Sequence, residues 1–243
     1  MKLDLDKIAA RLRSLEEEII YKLINRVQYP LNLCVYTDGQ SGFAPHQNES
    51  LFDLRLRYQE EMDSIFGRFL VPEERPFFNG LPKSRREFNA HNPLDLKNLN
   101  VVNLTSDLKS RYLDIVRLFC EDKDDGNYGS SVEHDIALFQ AIMRRIHYGS
   151  LYVAESKYRQ APDKYKELIK QSKKQELLVL LTRQEVENSI LDRIETKTKE
   201  IQKDVDNNLR NLVDPKLMRT LYEETIIPLT KEGEIIYLLQ RSI

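Results

Sequence analysis

The side chains of this 243-residue chain that could do chemistry are cations and carboxylates spaced along helical faces. The familiar catalytic patterns are missing. His46, His91, His134 and His147 are scattered, with no His-Glu-x-x-His spacing and no Cys-x-x-Cys partner, so no metal site is expected. Neither a Gly-x-Gly-x-x-Gly nor a Walker loop is present, which argues against dinucleotide and nucleotide phosphates. Cys34 and Cys120 lie far apart in apolar contexts, as in a reduced intracellular protein, and nothing points to a hydrolase triad. Arg144, Arg145 and Lys157 remain, on a helix whose other face carries Ile136, Phe139, Ile142 and Ile146. Glu187 follows Arg183 by one turn, and Thr230 and Glu234 are four apart, so they point the same way. By type alone these are surface charges. Fixed cations and hydrogen-bond donors can nevertheless orient an anion and stabilise charge developing on it, without a nucleophile or a metal.

The elements that must position them are helical. Eight glycines, nine prolines and no tryptophan disfavour a turn-rich sandwich, and alternating strand patterns are missing. Leu5, Ile8, Leu12, Leu15, Ile19, Leu23 and Val27 form one amphipathic stripe that ends before Tyr29-Pro30. A loop over 30–49 follows, then a helix over 51–69 capped by Ser50, a connection punctuated by Pro72, Pro76, Pro82 and Pro93, and a helix over 105–120. After a polar loop at 121–126, Ser130 or Ser131 is read as the cap of a helix reaching Gln160. Helices over 163–170, 175–204 and 215–241 complete the chain, with a kink expected at Pro228. We read residues 1–243 as one all-α domain. A net charge of −2, from 37 Lys+Arg against 39 Asp+Glu, gives no general attraction to nucleic acid or an acidic membrane, so an anion site must be a local cluster. No apolar run approaches the ~20 residues of a membrane span, and the acidic start Met1 to Asp6 does not read as a signal peptide, so a cytoplasmic protein is expected.

Two runs carry a more specific message. Arg144-Arg145-Ile146-His147-Tyr148-Gly149 leads into Val153-Ala154-Glu155-Ser156-Lys157, and Ile227-Pro228-Leu229-Thr230-Lys231-Glu232-Gly233-Glu234 lies near the C-terminus. They resemble the signature segments of the all-helical chorismate mutases of fungi and plants. The resemblance is strong over 129–160 and 222–239, moderate over 8–28 and 176–195, and thin over 30–125. It implies an all-α homodimer that rearranges chorismate to prephenate, for phenylalanine and tyrosine synthesis, with no cofactor. Arg145, Lys157 and Glu234 are the catalytic residues it implies, with Glu187 on the substrate hydroxyl and Thr230 completing the site.

Two departures bear on that implication. The family pattern separates the arginine and lysine by eleven residues, about 20° around a helix, whereas Arg145 and Lys157 are twelve apart, about 120°. A π-bulge, which takes one extra residue into a turn, is predicted between them. Ala9 stands where the family has a carboxylate-binding arginine, and Arg13 or Arg183 could restore that charge, Arg183 being preferred. The resemblance also implies tyrosine and tryptophan as effectors, near a loop region at 122–135. Gly129, Ser130 and Arg68 match the effector motif, while Gly67 and Glu133 depart from it. The competing reading is a helical regulatory or interaction protein that has kept the fold and lost activity.

Overall fold

The protein, seen here as a computed structural model, is described over residues 3–40, 42, 48–87 and 92–242. His46 and His91, and part of the loop expected at 30–49, lie outside the described residues. Ten α-helices are present among the described residues: α1 (Leu5–Arg26), α2 (Leu51–Ile65), α3 (Thr105–Phe119), α4 (Tyr128–Tyr148), α5 (Ala154–Gln160), α6 (Pro162–Lys170), α7 (Lys174–Leu181), α8 (Gln184–Ile201), α9 (Pro215–Leu221) and α10 (Ile227–Gln240). The described residues contain no strand, so the all-α expectation holds. None of these helices is long and apolar enough to cross a membrane.

Local chemistry sets the helix ends. Asp4 caps α1, its carboxylate accepting from the Asp6 N–H at 2.9 Å, and the Ser50 hydroxyl caps α2, accepting from the Asp53 N–H at 3.0 Å. α2 stops at Ile65, short of the expected residue 69, because Gly67 takes a left-handed φ of 83° just beyond it. The fourth helix starts at Tyr128, ahead of Ser130 and Ser131, with Asn127 at its N-cap and no side-chain cap bond. The helix expected over 175–204 is two. Thr182 folds its hydroxyl back onto the Leu178 carbonyl at 2.8 Å, Arg183 is extended at φ −129°, and α8 restarts at Gln184.

Two long helices are widened rather than broken. Between α4 and α5, residues Gly149–Val153 form a π-turn, where the bulge was expected. Between α9 and α10, Tyr222–Ile226 form a second one. Pro228 follows in the first turn of α10, and its missing N–H leaves the Glu224 carbonyl without the usual partner.

α1 and α4 form the centre. Ile19, Ile20, Leu23 and Ile24 of α1 meet Ile136, Phe139, Ile142 and Ile146 of α4 in the larger core, and a smaller core gathers Leu151, Ala154, Leu177, Leu181, Tyr237 and Leu238. An ion pair deep in the larger core fixes the helix register. Arg26 Nε donates to Asp135 at 2.6 Å, and Tyr36 and Tyr112 donate to the same carboxylate at 2.7 and 3.1 Å. Removing one partner of such a pair leaves a buried charge and costs about 3–5 kcal/mol.

Candidate active site

A cavity of about 250 Å³ opens where the two cores meet, walled by α1, the α4–α5 helix, the α7–α8 junction and α10. Arg145, Lys157, Arg183, Glu187, Thr230 and Glu234 all line it. The π-turn explains how twelve residues bring Arg145 and Lys157 to one cavity. It absorbs the extra residue, and Ser150 within it ties the widened backbone to α10, donating to the Ile146 carbonyl at 2.8 Å and the Thr230 carbonyl at 3.2 Å. Close approach demands glycine on both sides. A Cβ on Gly149 would lie 2.7 Å from the Thr230 methyl and 3.0 Å from Arg145 Nη1, and one on Gly233 would lie 2.6 Å from Ser150 Cβ.

Arg145 is only 3 % exposed, and its Nε and Nη1 have no hydrogen-bond partner. Its Nη2 is 3.9 Å from Glu16, a fully buried carboxylate that Arg193 already engages through two bonds of 2.9 and 3.0 Å. Arg145 is therefore held in place by a counter-ion shared with another arginine, with two donors left over. A buried donor without an acceptor is costly, so this guanidinium is prepared for an anion.

Lys157 donates to the Leu181 carbonyl at 3.0 Å and to Glu234 at 3.2 Å. Leu181 is the last residue of α7, where helix carbonyls lack intrahelical partners. Glu234 is buried, and burial raises its pKa above the ordinary carboxylate range, with Lys157, Arg145 and Lys231 pulling the other way. Thr230 points its hydroxyl back to the Ile226 carbonyl at 2.6 Å. Glu187 is paired with Lys231 at 2.7 Å. The site thus gathers Arg145, Lys157, Arg183 and Lys231 around a small apolar cavity, with the raised carboxyl group of Glu234 against Lys157.

No family model matches the chain. Individual proteins do. Chorismate mutase 2 of Petunia hybrida is 38% identical over 248 residues, covering 99% of this chain and 94% of the relative. The chorismate mutase of Emericella nidulans is 36% identical, covering 98% and 92%. The crystal structure of Aro7p chorismate mutase from Candida albicans, in complex with L-Trp, superimposes with a TM-score of 0.90 at 34% identity, covering 98% of this chain and 92% of that one. The chain belongs to the chorismate mutase family.

The departures from the family pattern now have places. Ala9 lies on the shared wall between the main cavity and a neighbouring cleft of about 320 Å³. Arg183 lines the main cavity and its side chain has no hydrogen-bond or ion-pair partner among the described residues, whereas Arg13 lines only the neighbouring cleft, beside Glu16 and Arg193. The candidate effector residues are not together within one chain. Arg68 binds Asp63 at 3.1 Å, Glu74 at 3.0 Å and Gln140 at 2.6 Å, and Gln140 is ten residues, ~15 Å, along α4 from the exposed Ser130. Lys231, Glu16 and Arg193 also bear on the site, and the motifs in the sequence do not single them out. For Lys231 a signal existed, since it stands directly between the mutase-like Thr230 and Glu234 on α10. Glu16 and Arg193 lie on separate helices at ordinary amphipathic positions, and no local pattern pairs them.

Proposed function

We propose that this chain converts chorismate to prephenate by holding the substrate in the reactive conformer and stabilising the charge that develops as it rearranges. The observation that carries this reading is Arg145, buried with two free donors in the cavity where Lys157 and Glu234 meet. Chorismate is a dianion whose enolpyruvyl side chain must fold over the ring before the ether C–O bond breaks and the new C–C bond forms. Arg145 takes one carboxylate and Arg183 the other, so that folding is selected on binding. The breaking bond leaves negative charge on the ether oxygen, where Lys157 and a protonated Glu234 donate hydrogen bonds that strengthen as charge grows. Glu187 accepts from the ring hydroxyl, and Thr230 completes the wall. An acceleration of ~10⁶ requires about 8 kcal/mol, more than the about 1.5–3 kcal/mol of one charge-assisted hydrogen bond, so orientation and electrostatics share the task.

A second copy of the chain completes the proposal. Tyr58, Met62 and Phe66 recur every four residues along α2 and just beyond it, 53%, 46% and 73% exposed, an apolar stripe suited to a homodimer contact. Tyrosine and tryptophan as effectors, at Gly129 and Ser130 with Arg68, belong to the same reading, and the Candida albicans neighbour with bound L-Trp supports it. So does operation in the cytoplasm, in line with the cytosolic chorismate mutase 2 of Zea mays, which is 32% identical.

The test is the pH dependence of chorismate turnover. Only protonated Glu234 donates, so the rate falls as pH rises through its raised pKa. Glu234→Gln, which donates at every pH, flattens that fall. The same pH dependence in both proteins would remove Glu234 from the mechanism.

A further inference from the structure

One side of the cavity is closed by an ion pair between two helices. Lys231 Nζ, from α10, lies 2.7 Å from one oxygen of Glu187 and 2.9 Å from the other, on the first turn of α8. Thr230 and Glu234 face the cavity by their four-residue spacing, whereas Lys231 starts about 100° around the helix and reaches the cavity by its long stem. The pair is partly exposed, its side chains 21% and 16% accessible, and such pairs contribute little to stability. Its position at the cavity wall is what calls for an explanation.

We infer that Lys231 is a positioning residue that neutralises and aims Glu187, so that a dianionic substrate can bring its ring hydroxyl to that carboxylate. The inference rests on the mutase reading above. A bare carboxylate within a few ångströms of two substrate carboxylates would repel them, and the low dielectric of a small apolar cavity magnifies that repulsion. Of the other cations around the cavity, Lys157 bonds Glu234 and the Leu181 carbonyl, and Arg145 approaches Glu16 with its remaining donors unpaired, so neither engages Glu187. Arg183 makes no bond to Glu187. Lys231 alone among these four cations touches Glu187. An ionised carboxylate has about four acceptor sites, so Glu187 can keep Lys231 and still accept from a hydroxyl.

A double-mutant cycle with chorismate as substrate decides the matter. Lys231→Met should lower kcat/KM at least tenfold while leaving the unfolding midpoint within about 2 °C, as expected for an exposed pair. Lys231→Arg, which keeps the charge, should restore kcat/KM to within about threefold. In a Glu187→Gln background, where no charge needs neutralising, Lys231→Met should change kcat/KM by less than about threefold, because the two residues act as a unit. Lys231→Gln serves in the same cycle if the methionine variant folds poorly. Equal losses from Lys231→Met in both backgrounds, or no loss in either, would overturn the inference. A wild type that does not consume chorismate overturns the mutase reading with it, whereas additive losses in an active wild type overturn only the role of Lys231.

Discussion

Arg145 owes its character to what surrounds it. Glu16 fixes its position but is largely engaged by Arg193, so the guanidinium keeps charge and donors for a ligand. The same logic decides between the two replacements for the arginine missing at Ala9. Arg183 faces the cavity with no protein partner, whereas Arg13 opens onto the cleft beside it. Arg183→Ala should therefore lower kcat/KM at least tenfold more than Arg13→Ala, a difference of about 1.4 kcal/mol in transition-state stabilisation. Equal small losses would refute the compensation. Most cavity residues could be picked out in the sequence only because two runs resemble a family; their types and spacing say surface charge. What sequence could not supply is burial. Arg145 and Arg144 are neighbours of one type, yet Arg145 is almost fully buried in the cavity while Arg144 is partly exposed and bound to Glu18 and Glu74.

At the level of elements, the π-turn Gly149–Val153 converts a spacing of twelve into a shared cavity for Arg145 and Lys157. One further residue there would turn Lys157 by ~100° away from Glu234, and one fewer would restore the eleven-residue spacing in a regular helix. Inserting an alanine after Tyr152 should abolish turnover, while deleting Tyr152, a half-buried member of the turn, should keep activity within about tenfold. The reverse ranking, measured on folded proteins, would show that the turn does not set the geometry. This turn was legible in the sequence because the spacing mismatch left few other solutions. The break at Thr182-Arg183 was not, since neither glycine nor proline marks it. The break shows in the backbone, where Arg183 is extended at φ −129° and α8 restarts at Gln184.

On the scale of the whole molecule, packing sets both acid sensitivity and activity. His147 is fully buried in α4, where its Nε2 accepts from the Leu104 N–H at 3.0 Å, and burial, helped by nearby Arg75, lowers its pKa from 6.5 to about 3. A depressed histidine pKa means that unfolded chains bind the proton first. The stability this neutral histidine supplies is present above pH 6.5 and lost as pH falls towards 3, about 2 kcal/mol by pH 5. Glu60 works in the opposite sense: burial raises it to about 7 against the Phe77 and Phe78 N–H groups that favour its charged form, so its contribution is lost as pH rises through 7. Denaturation of wild type and His147→Gln at pH 7.5 and 5 isolates the histidine, and the wild type should lose about 2 kcal/mol more than the variant. An equal loss in both would show that His147 is not the acid-sensitive group. Activity is likewise a property of the assembled whole, because the cavity takes its walls from four separate stretches of chain that only the complete packing brings together. Its most direct test is the loss of chorismate absorbance with purified protein, wild type beside Lys157→Ala, with the product identified. Removing a donor aimed at the developing oxyanion typically costs about 10²–10³ in rate, so the wild type should form prephenate and Lys157→Ala should fall by at least that much. A folded wild type that leaves chorismate unchanged, or equal rates in the two proteins, would contradict the account.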